Sequence, residues 1–365
     1  MRHNNPKKIL ITLLCVILAL GLISCGTNKD NATSTKKVVY TDSVGRKVEV
    51  PAEINKIAPT GSLSQIILYT VAPQKLIGWA SSPSEEMQKY FLKDTVSLPT
   101  FGSFFGKNAD LNMEALIKAA PQVIIDIGEI QGDKKSHAKS MDGLQEQVGI
   151  PVVFIEAKMD STADAYKKLG DLLHVEKKAE KLSAYCKKTL YESSSTLQKV
   201  PASKHPKLYY GEGETGLETN VSGSFHSEVI ERTKASNVVK IKETTKEGGN
   251  QISMEQLLVW QPDAILFAPR SIYSKVESDP LWSKVTAVQK GHYYEIPEGP
   301  FNWIDRPPSV NRFLGLQWLN NLLYPDYFKY DMIDRTKEFY DLFYHYYLSD
   351  KEAKELLGHS TFANK

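Results

Sequence analysis

A thirteen-residue unit occurs twice, 141 positions apart and with no gap. The first copy is Met113-Glu114-Ala115-Leu116-Ile117 followed by Pro121-Gln122-Val123-Ile124-Ile125; the second is Met254-Glu255-Gln256-Leu257-Leu258 followed by Pro262-Asp263-Ala264-Ile265-Leu266. Five of the thirteen positions are identical. Each copy reads as a short helix, a proline stop and an apolar strand. Any helix-turn-strand unit wants apolar residues and a stopping proline here, but that need does not dictate the shared Met-Glu. Two spaced copies of one α/β unit point to two like lobes, and a chain of 365 residues is long for one core and comfortable for two.

The start of the chain fixes where those lobes would reside. Arg2, Lys7 and Lys8 precede an apolar run from Ile9 to Ile23, which closes in Leu22-Ile23-Ser24-Cys25. The run is too short and wrongly flanked for a stable membrane span, and it reads as a bacterial lipoprotein signal over residues 1–24. Cleavage before Cys25 leaves its thiol to carry diacylglycerol. Acyl chains supply roughly 0.8 kcal/mol per buried methylene, so several of them make a lasting anchor on the outer or periplasmic face of the cell membrane. Three basic and no acidic side chains leave with the signal, so the remaining 341 residues carry 42 basic against 43 acidic groups, a formal charge of −1. That balance offers no handle for nucleic acid or an anionic lipid surface. Cys15 leaves with the signal and Cys25 is lipidated, so Cys186 stays a single thiol with no bridge to make.

Residues 25–37 are small, polar and aperiodic, as a flexible tether is. Val38 to Asp42 and Val48 to Val50 flank a turn at Gly45 and read as a hairpin. Strand and helix then alternate through Ile155, giving an N-terminal α/β lobe over 38–160 with a mainly parallel sheet. Residues 161–200 turn charged and helical, with a narrow apolar stripe at Ala179, Leu182, Cys186, Leu190 and Leu197. Glu176 to Gln198 would form a rod of roughly 35 Å, long enough to reach from one lobe to another. A C-terminal α/β lobe occupies 201–350, and 351–365 is left as a tail.

With these features in place, the chain resembles the substrate-binding lipoproteins of ABC importers, of the class that carries iron-siderophore, haem and cobalamin. The likeness rests on the Thr41-Asp42-Ser43-Val44-Gly45-Arg46 hairpin ahead of Val50-Pro51, on Leu76-Ile77-Gly78, on Glu114 to Ile125 and on the linking helix, and it spans roughly residues 37–350. It implies two Rossmann-like lobes with mainly parallel sheets joined by a single long backbone helix, ligand held between lobes that move little, and a monomer without a resident cofactor. It also implies that Glu114 and Glu255, one per lobe, dock the loaded protein on a permease dimer with its ATPase. A permease of two like halves presents two like basic sites, which one carboxylate per lobe can answer. Each Glu equally suits the first turn of its helix, where the macrodipole favours negative charge.

Ligand in such a lobe is met by loops at the carboxyl ends of strands. Ser62 and Ser64 stand at a helix start, where they can receive an anion or simply cap the helix. Trp79, Phe101, Phe104, Phe105 and Trp303 cluster on loops beside glycines, which suits a broad, greasy ligand or packing of the loops themselves. Pro300 to Arg312 is proline-stiffened and is expected to present Asn302, Trp303 and Arg306 to the cleft, unless Arg306 pairs with a nearby acid. Arg270 is a second guanidinium candidate.

His137, His174, His205, His226, His292, His345 and His359 fall largely on helices or away from the expected cleft loops, so no bare-metal site is expected. No Gly-x-Ser-x-Gly, His-Glu-x-x-His or Walker sequence is present, which argues against an enzyme. The expected ligand is a ferric siderophore, with haem or a corrinoid next. Molybdate or tungstate in the same architecture is the alternative, and a secreted lipoprotein hydrolase is a remote one.

Overall fold

The computed structural model describes residues 36–105, 109–245 and 248–358. The signal segment, Cys25, the tether up to residue 35, Gly106 and His359 lie outside the described residues. Among the described residues, no helix is long and apolar enough to cross a membrane.

Strands β1 (Lys37–Thr41) and β2 (Lys47–Pro51) form the expected antiparallel hairpin. Its turn is closed by Asp42, whose Oδ1 accepts the amides of Val44 and Arg46 at 3.1 and 2.9 Å. Arg46 then fastens the hairpin to the first lobe, donating to the Val152 carbonyl at 3.0 Å and to Asp142 at 2.7 Å. That lobe is a parallel sheet in the order β3 (Ile57–Pro59), β4 (Val123–Gly128), β5 (Val152–Glu156).

The second lobe holds β6 (Lys207–Gly211), β7 (Glu218–Thr219), β8 (Ser236–Asn237), β9 (Asn250–Gln251), β10 (Ala264–Phe267) and β11 (Tyr293–Glu295). Its main sheet runs β11-β10-β6-β8, all parallel, and β7 pairs with β9 as a small antiparallel ribbon. Two sheets of this kind give an α/β fold of two lobes, as the duplicated unit implied.

The repeat is structural as well as sequential. Helices Met113–Ala119 and Met254–Trp260 are equivalent, each capped by the side chain just before it. Asn112 accepts the Ala115 amide and Ser253 accepts that of Gln256. Both helices end on a left-handed residue, Ala120 (φ 50°) and Gln261 (φ 41°), followed by the proline that forbids continuation. The strands that follow, β4 and β10, sit between neighbours in their sheets.

Because alternate strand residues face opposite sides, each copy contributes to two cores. Val123, Ile125, Ala264 and Leu266 join one large core that runs through both lobes. Ile124 packs instead in a core private to the first lobe, and Ile265 in one private to the second.

The 161–200 stretch departs from a single linking helix. It holds two, Thr162–Leu173 and Glu176–Leu197, broken where His174 turns left-handed at φ 53°. Gly170 makes the sharp return possible: a Cβ there would stand 2.7 Å from the Ala179 Cβ. Only the second helix serves as the strut, and its 22 residues give a rod of about 33 Å. It is tied to helix Asn311–Leu323 by a buried polar ladder. Gln317 donates to Tyr185 Oη at 3.0 Å and to Thr189 Oγ1 at 2.9 Å, and Asn320 donates to Ser193 Oγ at 2.8 Å. Nor do residues 350–357 belong to a loose tail. Ser349 and Glu352 form a capping box for helix Asp350–Leu357, whose Ala353 and Leu357 are buried.

Candidate functional site

Between the loops that leave the carboxyl ends of the strands lies a cavity of about 670 Å³. The first lobe supplies Ser62, Leu63, Phe105, Asp126 to Glu129 and, from helix Lys134–Val148, Ser136, His137, Ser140 and Met141. The second lobe supplies Phe225, His226, Pro307 and Pro308. The cavity thus lies where the strands of both lobes end.

Of the residues read from the sequence, Ser62 and Phe105 line the cavity, and Phe105 is 46% exposed. Ser62 opens helix Ser62–Val71, whose N-cap is Gly61 and so supplies no side-chain acceptor to the first turn. Ser64 does not reach the cavity. It is buried, accepts the Ile127 amide at 2.9 Å and shares a hydrogen bond with Thr60, tying the helix to β4. Phe104 packs against the private core of the first lobe, alongside the buried Phe101.

Trp79 and Trp303 are completely buried. Trp79 donates its indole N–H to the Thr95 carbonyl at 2.8 Å and sits edge-on to Phe91, so it supports the loops rather than facing ligand. Trp303 belongs to the large core, and its carbonyl is approached so closely by Gly315 that a Cβ there would lie 1.9 Å away. Asn302 is spent on its own loop, its Oδ1 accepting the amides of Ile304 and Asp305. Arg270 is solvent-exposed, pairs with Glu298 and faces a separate depression beside Glu86 and Tyr90. Neither Trp79 nor Trp303 lines the cavity, and a glycine-flanked tryptophan reads the same in sequence whether its loop packs inward or opens outward.

Arg306 precedes the cavity-lining prolines and pairs with Glu212, not Asp305: Nε donates at 2.5 Å and Nη2 at 3.3 Å. Burial and the neighbouring Asp305 carboxylate push the Glu212 carboxyl up, and Arg306 opposes that shift. Asp305, itself fully buried, accepts from Asn220 at 3.1 Å and from His226 Nδ1 at 2.8 Å. Deeper still, Arg312 donates to Glu228 at 2.6 Å and lies 4.6 Å over the Phe225 ring, while Glu228 also accepts the Met159 amide from the first lobe.

Two histidines thus line a cavity from which the sequence had excluded them. His137 is buried, lies tilted against Phe154 with ring centroids 4.1 Å apart, and accepts the Gln131 amide on Nδ1 at 2.9 Å; burial holds its pKa down. Burial also pushes up the carboxyl of Asp126, which receives the Thr60 hydroxyl. His137 sits within a helix and His226 in a single 3-10 turn, so neither reads as a strand-end loop residue in the sequence. Among the described residues no cluster of three or more His, Cys, Asp or Glu is placed to hold a metal ion.

Two parallel-sheet lobes on one helical strut, with a roomy cavity at the strand ends, define a bilobal binding protein. Residues 79–300 match the model of the periplasmic binding protein family, and the chain belongs to that family. It is similar to an ABC transporter solute-binding protein of Sulfurospirillum deleyianum, with a TM-score of 0.79 and 28% identity over 88% of this chain and 99% of that one. The molybdate-binding protein MolA of Haemophilus influenzae is 23% identical, over 88% of this chain and 95% of that protein, and its molybdate-bound structure superposes with a TM-score of 0.69. The Fe(3+)-citrate-binding protein YfmC of Bacillus subtilis is 21% identical, over 81% of this chain and 91% of that protein. The protein is accordingly an extracytoplasmic solute-binding protein of an ABC transporter, of a family whose members bind solutes and are not enzymes.

Proposed function

We propose that this protein is the lipid-anchored receptor of an importer and that its cargo is a metal chelate, a ferric siderophore first, with haem or a corrinoid next. The observation that carries this reading is the cavity. Its volume of about 670 Å³ falls in the range of about 300–1,000 Å³ typical of drug-sized ligands. A tetrahedral oxyanion fills a small fraction of that space. Leu63, Phe105, Met141, Phe225, Pro307 and Pro308 offer the apolar surface a bulky chelate needs, and Ser62, Ser136, Ser140 and His226 are polar groups among them. Similarity to a ferric-citrate-binding protein supports the same reading.

One relative favours the oxyanion reading. MolA is named for molybdate, and the uncapped first turn at Ser62 is a donor site suited to such an ion. Calorimetric titration of the purified protein with ferric citrate, ferric siderophores, haem, cobalamin, molybdate and tungstate separates the two. Tight binding of a chelate with none of molybdate or tungstate is expected, and the reverse pattern overturns the chelate reading.

In this reading Cys25 carries the lipid, and the lobes sit outside the membrane as a monomer. Glu114 and Glu255 seat the loaded receptor on the permease. Both are exposed in the first turns of equivalent helices, which supports a paired role. Each has an exposed apolar neighbour on its own helix, Ile117 (59%) and Val259 (82%), able to bury surface on docking.

A further inference from the structure

Among the described residues lining the cavity there is no lysine or arginine, and His137 and His226 carry its imidazole groups. The two rings are wired differently. His137 Nδ1 accepts a backbone N–H, which fixes the neutral ring as the Nε2–H form, and its Nε2 is buried with no hydrogen-bond partner. His226 Nδ1 faces both oxygens of Asp305, at 2.8 and 2.9 Å. A carboxylate there accepts a hydrogen bond from Nδ1–H, orients the ring and stabilises its charged form.

The surroundings of His226 balance when it is charged. On the loop behind it stand Asp305 and Arg306; from the end of β6 comes Glu212, bound to Arg306. Gly248 faces the ring with no side chain, a Cβ there falling 3.3 Å from His226 Cγ. Across the cavity the first lobe presents Asp126, Glu129 and His137. Two buried carboxylates, Glu212 and Asp305, are thus met by one guanidinium and one imidazole, with the Arg312–Glu228 pair beside them; with both carboxylates ionised, the protonated imidazole balances the set.

Resting on the receptor reading above, we infer that His226 is the cation of the second-lobe wall, that it recognises an anionic group of the cargo, and that capture weakens as the pH rises. The charge belongs to the protein, so the same contact serves the carboxylate or catecholate rim of a chelate and an oxyanion. Burial lowers the pKa of His226, but the Asp305 hydrogen bond and charge outweigh it and the net shift is upward. The sign follows: the protonated ring binds an anion, so affinity is highest below the pKa and falls by up to about tenfold per pH unit above it.

The test has two arms. In the full protein without ligand, the His226 resonance, assigned by its loss in His226→Gln, is titrated by NMR. It is expected to titrate above the ordinary value of 6.5 and to fall in Asp305→Asn. Titration at or below 6.5 in the wild type overturns the inference. In the second arm, ferric citrate, molybdate and a neutral ferric hydroxamate chelate are titrated between pH 6 and 8.5 into wild type and His226→Gln. A loss of anion affinity with pH that is steep in the wild type and flat in the variant supports the inference; equal slopes overturn it. Binding of the neutral chelate alone also overturns it and leaves the receptor reading standing. If no probe binds at any pH, the NMR titration alone decides the inference, and the receptor reading is decided by the calorimetric series with siderophores, haem and cobalamin.

Discussion

The two walls of the cavity are built on opposite plans although the lobes behind them carry the same repeat. The first-lobe wall is shallow in its support: a helix start capped by a glycine, a half-exposed Phe105, and Asp126 held by one threonine hydroxyl. The second-lobe wall stands on buried charge. Arg312 with Glu228, Asp305 with His226 and Arg306 with Glu212 interlock behind Phe225 and two prolines. The difference teaches that one wall is cheap to reshape and the other is not, since a buried charge left without its partner is far more costly than an exposed ring trimmed.

The sharpest break of this contrast is Arg312→Ala. Removing a nearly inaccessible guanidinium strands Glu228 and withdraws the platform under Phe225, and about 3–5 kcal/mol of stability should be lost in urea denaturation. A loss under 1 kcal/mol would show that the ionic base of the second wall is not structural.

Phe105→Ala probes the opposite wall. Ligand affinity should fall about tenfold in calorimetric titration while stability changes by less than about 0.5 kcal/mol, because the ring is half exposed in the free protein. Unchanged affinity would take Phe105 out of the binding surface.

A gentler effect is expected at Asp126. Burial raises its folded pKa above the unfolded value of 3.8, so the ionised carboxylate costs stability once the pH exceeds that value. Asp126→Asn removes this cost. The melting temperature of the variant should exceed that of wild type at pH 8, and the gain should vanish below pH 4, where both side chains are neutral. A gain that persists at pH 3 would point to packing instead of charge.

Least visible on the isolated molecule is the charge reversal Glu114→Lys with Glu255→Lys. Both groups are exposed in first turns, where the macrodipole favours the native charge, so stability should fall only slightly while ligand affinity stays within error. Cellular uptake of the cargo should be lost. Normal uptake would remove the docking role, and uptake lost in only one single variant would break the equivalence of the lobes.

The sequence made the architecture readable for a physical reason: repeat, proline stop and strand are local signals, and local signals survive transfer to the folded state. It missed the break at His174 because a left-handed residue between two charged helices carries no glycine or proline to announce it. It misjudged Trp79 and Trp303 because burial depends on what the rest of the chain packs above a loop. His226 carries no such signal: Asp305 has Arg306 beside it in sequence, and only the fold shows that its partner is the distant imidazole while Arg306 turns to Glu212.

The interior shared by the lobes has a thermodynamic meaning. Side chains as distant as Val50, Leu182 and Leu266 belong to one continuous apolar body, so neither half has a complete interior without the other. Heating in a calorimeter should yield one endotherm, and a fragment cut at the strut would be left with a raw hydrophobic face. A chain that carries one unit twice over a single shared interior is expected to fold as a whole.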